Sequence, residues 1–95
     1  MNKLNKALFL DRDGVLNFDS GYTHIFSDSQ IIPGSVELIN FANNAGYVVI
    51  IVTNQSGIGR GYFSEGVFHK YMSDLIAYYQ SNLATIDDYY FAPYF

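Results

Sequence analysis

The sequence predicts an α/β fold in which parallel strands alternate with helices. Short apolar runs typical of strands alternate along the chain with stretches whose apolar residues recur every three or four positions. The middle apolar run is continuous and rich in β-branched residues, as in the strands of parallel sheets. With 95 residues the chain has the size of one small domain, and we expect residues 1–95 to form it.

The first strand and the first helix are separated by a long loop region. "KALFL" predicts a short buried strand, and "DRDGVLNFDSGYTHIFSDSQIIPG" after it is punctuated by Gly and Pro and predicts loops. A helix is predicted from about Ser35 to Ala45, because Val36, Ile39 and Ala42 are three positions apart. Gly46 follows as its stop signal.

The second half of the chain repeats this alternation. "YVVIIVTN" predicts a strand buried on both faces, and "QSGIGRGYF" predicts a Gly-rich loop. Ser64 is a predicted N-cap for a helix that runs to about Leu83. The residues of this helix predicted to face the core are Phe68, Tyr71, Met72, Leu75, Ile76, Tyr79 and Leu83. "DDYYFAPYF" predicts a third strand with Pro93 just past its paired part, and right-handed crossovers would join the strands.

Composition restricts the classes of function. A content of 49% hydrophobic and 15% charged residues predicts a packed core. The 9 Tyr and 8 Phe are many for a domain of this size, so we expect a partner or further chain to cover some of these aromatic side chains. The net charge of −4 without a Lys/Arg cluster argues against a nucleic-acid partner. The absence of Cys excludes disulfides and Cys-ligated zinc. No apolar run approaches a membrane span and no signal peptide is recognisable, so we expect a cytoplasmic protein without a membrane partner.

Polar side chains follow two predicted strands at the points where these strands end. Asp11 and Asp13 come after the first strand, whereas Thr53 and Asn54 close the second. Ligands of open α/β sheets bind outside the carboxyl ends of the strands. We therefore expect these four residues to meet at one edge of the sheet.

The acid pair has two interpretations. Asp13-Gly14 between apolar residues is a turn signal and would fit a β-hairpin. Alternatively, Asp11 is a nucleophile that forms an aspartyl phosphate, and Asp13 protonates the leaving oxygen and then activates water. Two carboxylates this close repel each other. A Mg²⁺ ion on the Asp11 carboxylate and the Asp13 backbone carbonyl would relieve the repulsion and neutralise phosphate charge.

The segment "TNQSGIGRG" offers groups that bind phosphate oxygens: a hydroxyl, an amide and free backbone N–H groups at a strand end. It fits an ordinary Gly-rich βα loop equally well. No Lys follows it as in a Walker A loop, so its evidence alone is weak.

Four segments taken together resemble the haloacid dehalogenase superfamily. They are "FLDRDGVLN" and "VTNQSGIGRG", with "DSGYTH" and "PG" between them. More narrowly, they resemble the branch of D-glycero-D-manno-heptose 1,7-bisphosphate phosphatases and histidinol-phosphatases. The similarity is close from Ala7 to about Phe63 and loose beyond. It implies a Rossmann-like parallel sheet that is incomplete at its carboxyl-terminal side, and thus the N-terminal half of the family's domain.

The resemblance also implies roles for individual residues. Asp11 would be the nucleophile and a Mg²⁺ ligand, and Asp13 would be the general acid/base and a ligand through its backbone. The residues that would bind phosphate or substrate are Thr53, Asn54, Gln55, Ser56, Asp19, Tyr22 and Arg60. Arg12 receives no catalytic role, and His24 is expected to pack locally. The implied reaction is Mg²⁺-dependent hydrolysis of a small phosphorylated sugar or metabolite.

Parts of the family's pattern have no counterpart in this sequence. The family's Lys motif and second acidic motif follow the third strand, and neither is found here. The family's zinc-bearing members carry a Cys- and His-containing loop that this sequence lacks, so zinc is not expected. A second interpretation therefore stays open, namely a catalytically incomplete remnant or interaction module that binds Mg²⁺ or phosphate weakly. A third interpretation is a receiver domain, but such domains need a Lys late in the chain. An unpaired edge of the first strand would favour self-association.

Overall fold

The computed structural model describes residues 6–94 and contains a three-stranded parallel sheet of order β1-β2-β3. The strands are β1 (Lys6–Leu10), β2 (Tyr47–Asn54) and β3 (Asp88–Ala92). The helices are α1 (Ser35–Asn44), α2 (Ser56–Gly59) and α3 (Glu65–Ser81), and a 3₁₀ turn spans Asp28–Gln30. The predicted order of strands and helices and the parallel pairing are confirmed.

Local signals set the ends of these elements where the sequence indicated. Gly46 has φ 89° just after α1, a left-handed backbone conformation that stops a helix and suits glycine. Ser64 caps α3, since its Oγ accepts a hydrogen bond from the Val67 amide at 3.1 Å. β3 ends directly before Pro93, as predicted. No helix within residues 6–94 combines the length and apolar character needed to cross a membrane.

The hydrophobic core lies on one face of the sheet. Val49 and Ile51 of β2 are fully buried on that face and belong to the same cluster as Ile39 of α1 and Leu75 of α3. The buried apolar residues of the core are Leu16, Ile39, Ala42, Val49, Ile51, Phe63, Phe68, Tyr71, Met72, Leu75, Tyr79, Ala84 and Ile86. Both long helices thus cover the same side of the sheet, so the other side carries neither of them.

The other side of the sheet, here called the open face, exposes large apolar side chains. Phe9, Val52 and Tyr90 are 60%, 45% and 58% exposed. The predictions of a buried first strand and of a second strand buried on both faces are therefore wrong. Their common cause is that α1 and α3 pack on one side, and that β1 pairs with β2 alone among the described residues.

Two further expectations are corrected. The segment predicted as a Gly-rich loop contains the short helix α2, in which a Cβ at Gly57 would collide with the rings of Phe63 and Tyr22. This close packing explains why a residue without a Cβ stands at position 57. Leu83, predicted to face the core from α3, lies beyond the helix, has φ 65° and is 77% exposed.

Candidate active site

Two loops meet at the carboxyl ends of β1 and β2 and line a cavity of about 480 Å³. The lining residues are Asp11, Asp13, Asp19, Gly21, Tyr22, Thr53, Asn54, Gln55, Ser56 and Gly57. The predicted convergence of the acid pair with Thr53 and Asn54 is confirmed. Of the residues predicted to form a site, Arg60 alone does not line this cavity, because it follows α2 as its C-cap.

The loop after β1 is a tight turn built on one backbone carbonyl. The Arg12 carbonyl accepts the amides of Val15, Leu16 and Asn17 at 3.2, 2.8 and 3.3 Å. Gly14 permits the turn with φ 87° and donates its amide to the Asn17 carbonyl at 2.7 Å. The hairpin interpretation is wrong, because β1 pairs in parallel with β2 rather than with the segment after this turn.

The Asp13 carboxylate is held by three neighbouring side chains. Its Oδ1 accepts hydrogen bonds from Arg12 Nη2 at 2.8 Å, Arg12 Nε at 3.2 Å and Asn17 Nδ2 at 2.9 Å. Its Oδ2 accepts one from Gln55 Nε2 at 3.1 Å. Arg12 is 1% exposed, so this guanidinium–carboxylate pair is shielded on the Arg12 side. Asp13 therefore has a fixed orientation, in which Gln55 is the one described partner of Oδ2.

Asp11 has the opposite environment. It is exposed at the cavity, and its carboxylate accepts no hydrogen bond from the residues that the structure describes. The two carboxylates, two positions apart in the sequence, thus differ in how strongly hydrogen bonds restrain them. An uncommitted carboxylate can attack an electrophile or bind a cation, whereas an oriented one is suited to proton transfer.

Gln55 links the second loop to the first. Its Nε2 donates both to Asp13 Oδ2 and, at 2.8 Å, to Thr53 Oγ1. Its backbone amide donates to the Ala92 carbonyl of β3 at 2.7 Å. Thr53 and Gln55 are each 4% exposed. Because Thr53 Oγ1 accepts from Gln55, its hydroxyl hydrogen remains available to a ligand oxygen in the cavity.

The wall opposite these loops is the segment from Asp19 to His24. Asp19 Oδ1 accepts the Gly21 amide at 3.0 Å, and Tyr22 adopts φ 40°, a left-handed conformation uncommon for a large side chain. The Tyr22 ring meets Tyr62 edge-on with centroids 4.6 Å apart. His24 Nδ1 lies 2.7 Å from the nearby Tyr22 carbonyl, and its ring stacks on the more distant Phe63 at 5.0 Å.

Sequence reasoning missed two residues of this site. Arg12 received no role, yet it orients Asp13, and Asn17 was not singled out although its side chain binds the same oxygen. One signal for Arg12 was available. A charged residue two positions after an apolar strand, in a chain with 15% charged residues, must be paired if it is buried.

The cavity is acidic and its groups suit a hard cation. Three carboxylates line it, from Asp11, Asp13 and Asp19, and its lining contains neither Lys nor Arg. The described residues hold no group of three or more His, Cys, Asp or Glu that could bind a metal. Mg²⁺ needs no such cluster, because it keeps several waters and is bound through one or two carboxylates and substrate phosphates. The free Asp11 carboxylate therefore fits Mg²⁺.

Comparison with known proteins identifies the relatives of this chain. The D-glycero-beta-D-manno-heptose-1,7-bisphosphate 7-phosphatase of Pasteurella multocida is 54% identical over 65 residues, 68% of this chain and 35% of that protein. The D-glycero-alpha-D-manno-heptose-1,7-bisphosphate 7-phosphatase of Burkholderia mallei is 45% identical over 89 residues, 94% of this chain and 47% of that protein. No protein-family model matches the chain.

The decisive comparison is structural. The crystal structure of the D,D-heptose 1,7-bisphosphate phosphatase from B. bronchiseptica, complexed with magnesium and phosphate, superimposes with a TM-score of 0.83 at 31% identity. This chain is a relative of the heptose bisphosphate phosphatases. It covers 51% of the B. bronchiseptica chain, and it spans about half the length of the curated relatives it matches. The predicted haloacid-dehalogenase-like, Rossmann-like fold class is confirmed.

A pH-dependent contribution to stability follows from Tyr71, which is buried beneath the acid loop. Burial raises the pKa of Tyr71 from 10.0 to about 12, and its hydroxyl donates to Gln30 Oε1 at 2.7 Å. A folded-state pKa above the unfolded one means that the neutral hydroxyl stabilises the fold below pH 10 and that this contribution is lost as the pH rises toward 12.

Urea unfolding between pH 8 and pH 12 measures this effect. Tyr71→Phe should lose less stability over that interval than the wild-type chain, while Tyr94→Phe, an exposed control, should follow the wild-type curve. The slope that remains is expected from Tyr79 and Tyr89, whose pKa values are also raised by burial. Identical curves for Tyr71→Phe and wild type would show that Tyr71 makes no such contribution.

Proposed function

We propose that residues 1–95 are the N-terminal half of a Mg²⁺-dependent phosphatase domain that hydrolyses a small phosphorylated sugar resembling a heptose bisphosphate. The observation that carries this proposal is the pairing of a free Asp11 with an oriented Asp13 in one cavity beside Thr53. The names of the relatives support the substrate class. Since the chain spans about half of their length, its own activity is part of the proposal.

Phosphoryl transfer would begin at Asp11. A carboxylate oxygen of Asp11 attacks phosphorus, the bond from phosphorus to the sugar oxygen breaks, and Asp13 gives its proton to that oxygen. Oδ2 is the oxygen that exchanges this proton, because Oδ1 is occupied by Arg12 and Asn17. Asp13 then takes a proton from water, which attacks the aspartyl phosphate and releases inorganic phosphate and the Asp11 carboxylate.

The remaining groups would bind the phosphate and the sugar. Thr53 Oγ1–H and the side chains of Asn54 and Ser56 face the cavity and can donate to phosphate oxygens. The Asp11 carboxylate and the Asp13 backbone carbonyl would hold Mg²⁺, which supplies the positive charge that the acidic cavity lacks. Asp19 can accept hydrogen bonds from sugar hydroxyls at the opposite wall.

One observation favours a second function, that of a non-catalytic module. The cavity-lining residues include no Lys or Arg to stabilise the charge that develops on the transferred phosphoryl group. Such a module would bind Mg²⁺ and phosphate without turnover.

Hydrolysis of p-nitrophenyl phosphate with Mg²⁺ separates the two functions. Asp11→Asn removes the nucleophile and should lower the rate by about 1,000-fold or more. Asp28→Asn is the matched control, because Asp28 is an exposed acid in the 3₁₀ turn that does not line the cavity, and it should keep the wild-type rate. Equal and negligible rates for wild type and Asp11→Asn would refute the enzyme function for this chain and favour the module.

We further propose that copies of the chain associate through the open face and through the edge of β1 that no strand within residues 6–94 pairs with. Unpaired strand edges and contiguous exposed apolar groups favour such contacts. Phe9→Lys places a charge on that face and should shift sedimentation toward the monomer, whereas Phe41→Lys on α1, where Phe41 is 72% exposed, should not. A concentration-independent monomer for the wild-type chain would contradict self-association.

A further inference from the structure

Arg12 sits where the acid loop meets the loop on the opposite wall of the cavity. Its Nη2 donates to two acceptors at once, Asp13 Oδ1 at 2.8 Å and the backbone carbonyl of Thr23 at 3.0 Å. Its Nε donates to the same Asp13 oxygen at 3.2 Å, and its guanidinium lies 4.4 Å from the centroid of the Tyr71 ring. One buried side chain thus contacts the proposed acid/base, the opposite wall and the core.

The Thr23 carbonyl belongs to a segment that is itself internally bonded. Thr23 is 5% exposed, and its Oγ1 lies 2.8 Å from the Ser20 hydroxyl, so the turn from Ser20 to Thr23 is closed by a side-chain hydrogen bond. Gly21 and Tyr22 inside this turn line the cavity. A ligand that contacts them therefore presses on the unit that carries the Thr23 carbonyl.

We propose that Arg12 is a positioning residue that couples the 19–24 segment to the Asp13 carboxylate. A displacement of the Thr23 carbonyl changes the position of the Arg12 guanidinium and, through it, the position of Asp13 Oδ1. The hydrogen bond from Gln55 to Asp13 Oδ2 stays in place. The Asp13 side chain is thereby oriented according to the position of the substrate-facing wall. The catalytic meaning of this coupling rests on the function proposed for Asp13, but the coupling itself is measurable without turnover.

Arginine is required here for a geometric reason. The planar guanidinium presents several N–H groups in a fixed fork, so one side chain can bind a carboxylate and a carbonyl while lying against an aromatic ring. A lysine ammonium keeps the charge but has no such fork. A purely structural role for Arg12 would stabilise the whole fold and would transmit nothing between Asp13 and the 19–24 segment.

Amide hydrogen exchange in a double-mutant cycle distinguishes coupling from a structural role. Asp13→Asn weakens the charge-assisted bond to Arg12 and should speed exchange of the amides of residues 20–24 by about 5-fold, with α3 amides unchanged. In an Arg12→Met background, Asp13→Asn should cause no further change in the same amides. Asp88→Asn, the same change at an exposed aspartate at the start of β3 that does not line the cavity, is the matched control and should leave residues 20–24 at the wild-type rate.

Two results would overturn the coupling: Asp13→Asn leaves residues 20–24 unaffected, or its effect persists at full size without Arg12. If Arg12→Met fails to fold, as judged by exchange throughout α3, the same cycle is run with Arg12→Lys, for which the same loss of coupling is expected. Absence of ester hydrolysis by the wild-type chain would count against the proposed function alone, because the exchange cycle decides the coupling.

Discussion

The hydrogen bond from Gln55 Nε2 to Asp13 Oδ2 joins two loops that are 42 positions apart, and the candidate site depends on it. Parallel pairing of β1 and β2, with Leu10 opposite Ile51, ends both strands at the same edge of the sheet. The Gln55 amide is in turn fixed to the Ala92 carbonyl of β3. All three strands therefore contribute to the position of one carboxylate.

The two acids of the site are restrained to different degrees because helices α1 and α3 cover the same side of the sheet. Below the two loops lies the core face, where Tyr71 and Phe68 of α3 pack beneath the Arg12 guanidinium. On the other side, the open face leaves Phe9 and Tyr90 in contact with solvent. The groups that orient Asp13 are thus rigidly backed, whereas Asp11, at the end of the edge strand β1, has no contact that restrains its carboxylate within the described residues. Such a division suits a reaction in which one acid must move protons in place and the other must reach phosphorus.

Local sequence signals predicted the elements and the meeting of the two loops, because periodicity, N-caps and glycine stops act over a few residues. Burial of β1 and of the second face of β2 was predicted wrongly, since it depends on which side of the sheet distant helices pack. The helical turn Ser56–Gly59 was missed because two of its four residues are glycines, which have a low helix propensity. The role of Arg12 was missed as well: the sequence indicates that a buried charge there needs a partner, but not that one partner is the Thr23 carbonyl, 11 positions along the chain.

The central claim is that the acid loop and the Thr53 loop bind the same phosphoryl group. Titration of the isotopically labelled chain with inorganic phosphate in the presence of Mg²⁺, followed by amide NMR shifts, tests it most directly. Amides at Asp11–Gly14 and at Thr53–Gly57 should shift together with one common dissociation constant, and Asp11→Asn should weaken both sets of changes alike. Shifts confined to one loop, or two sets that saturate at different phosphate concentrations, would contradict a shared site.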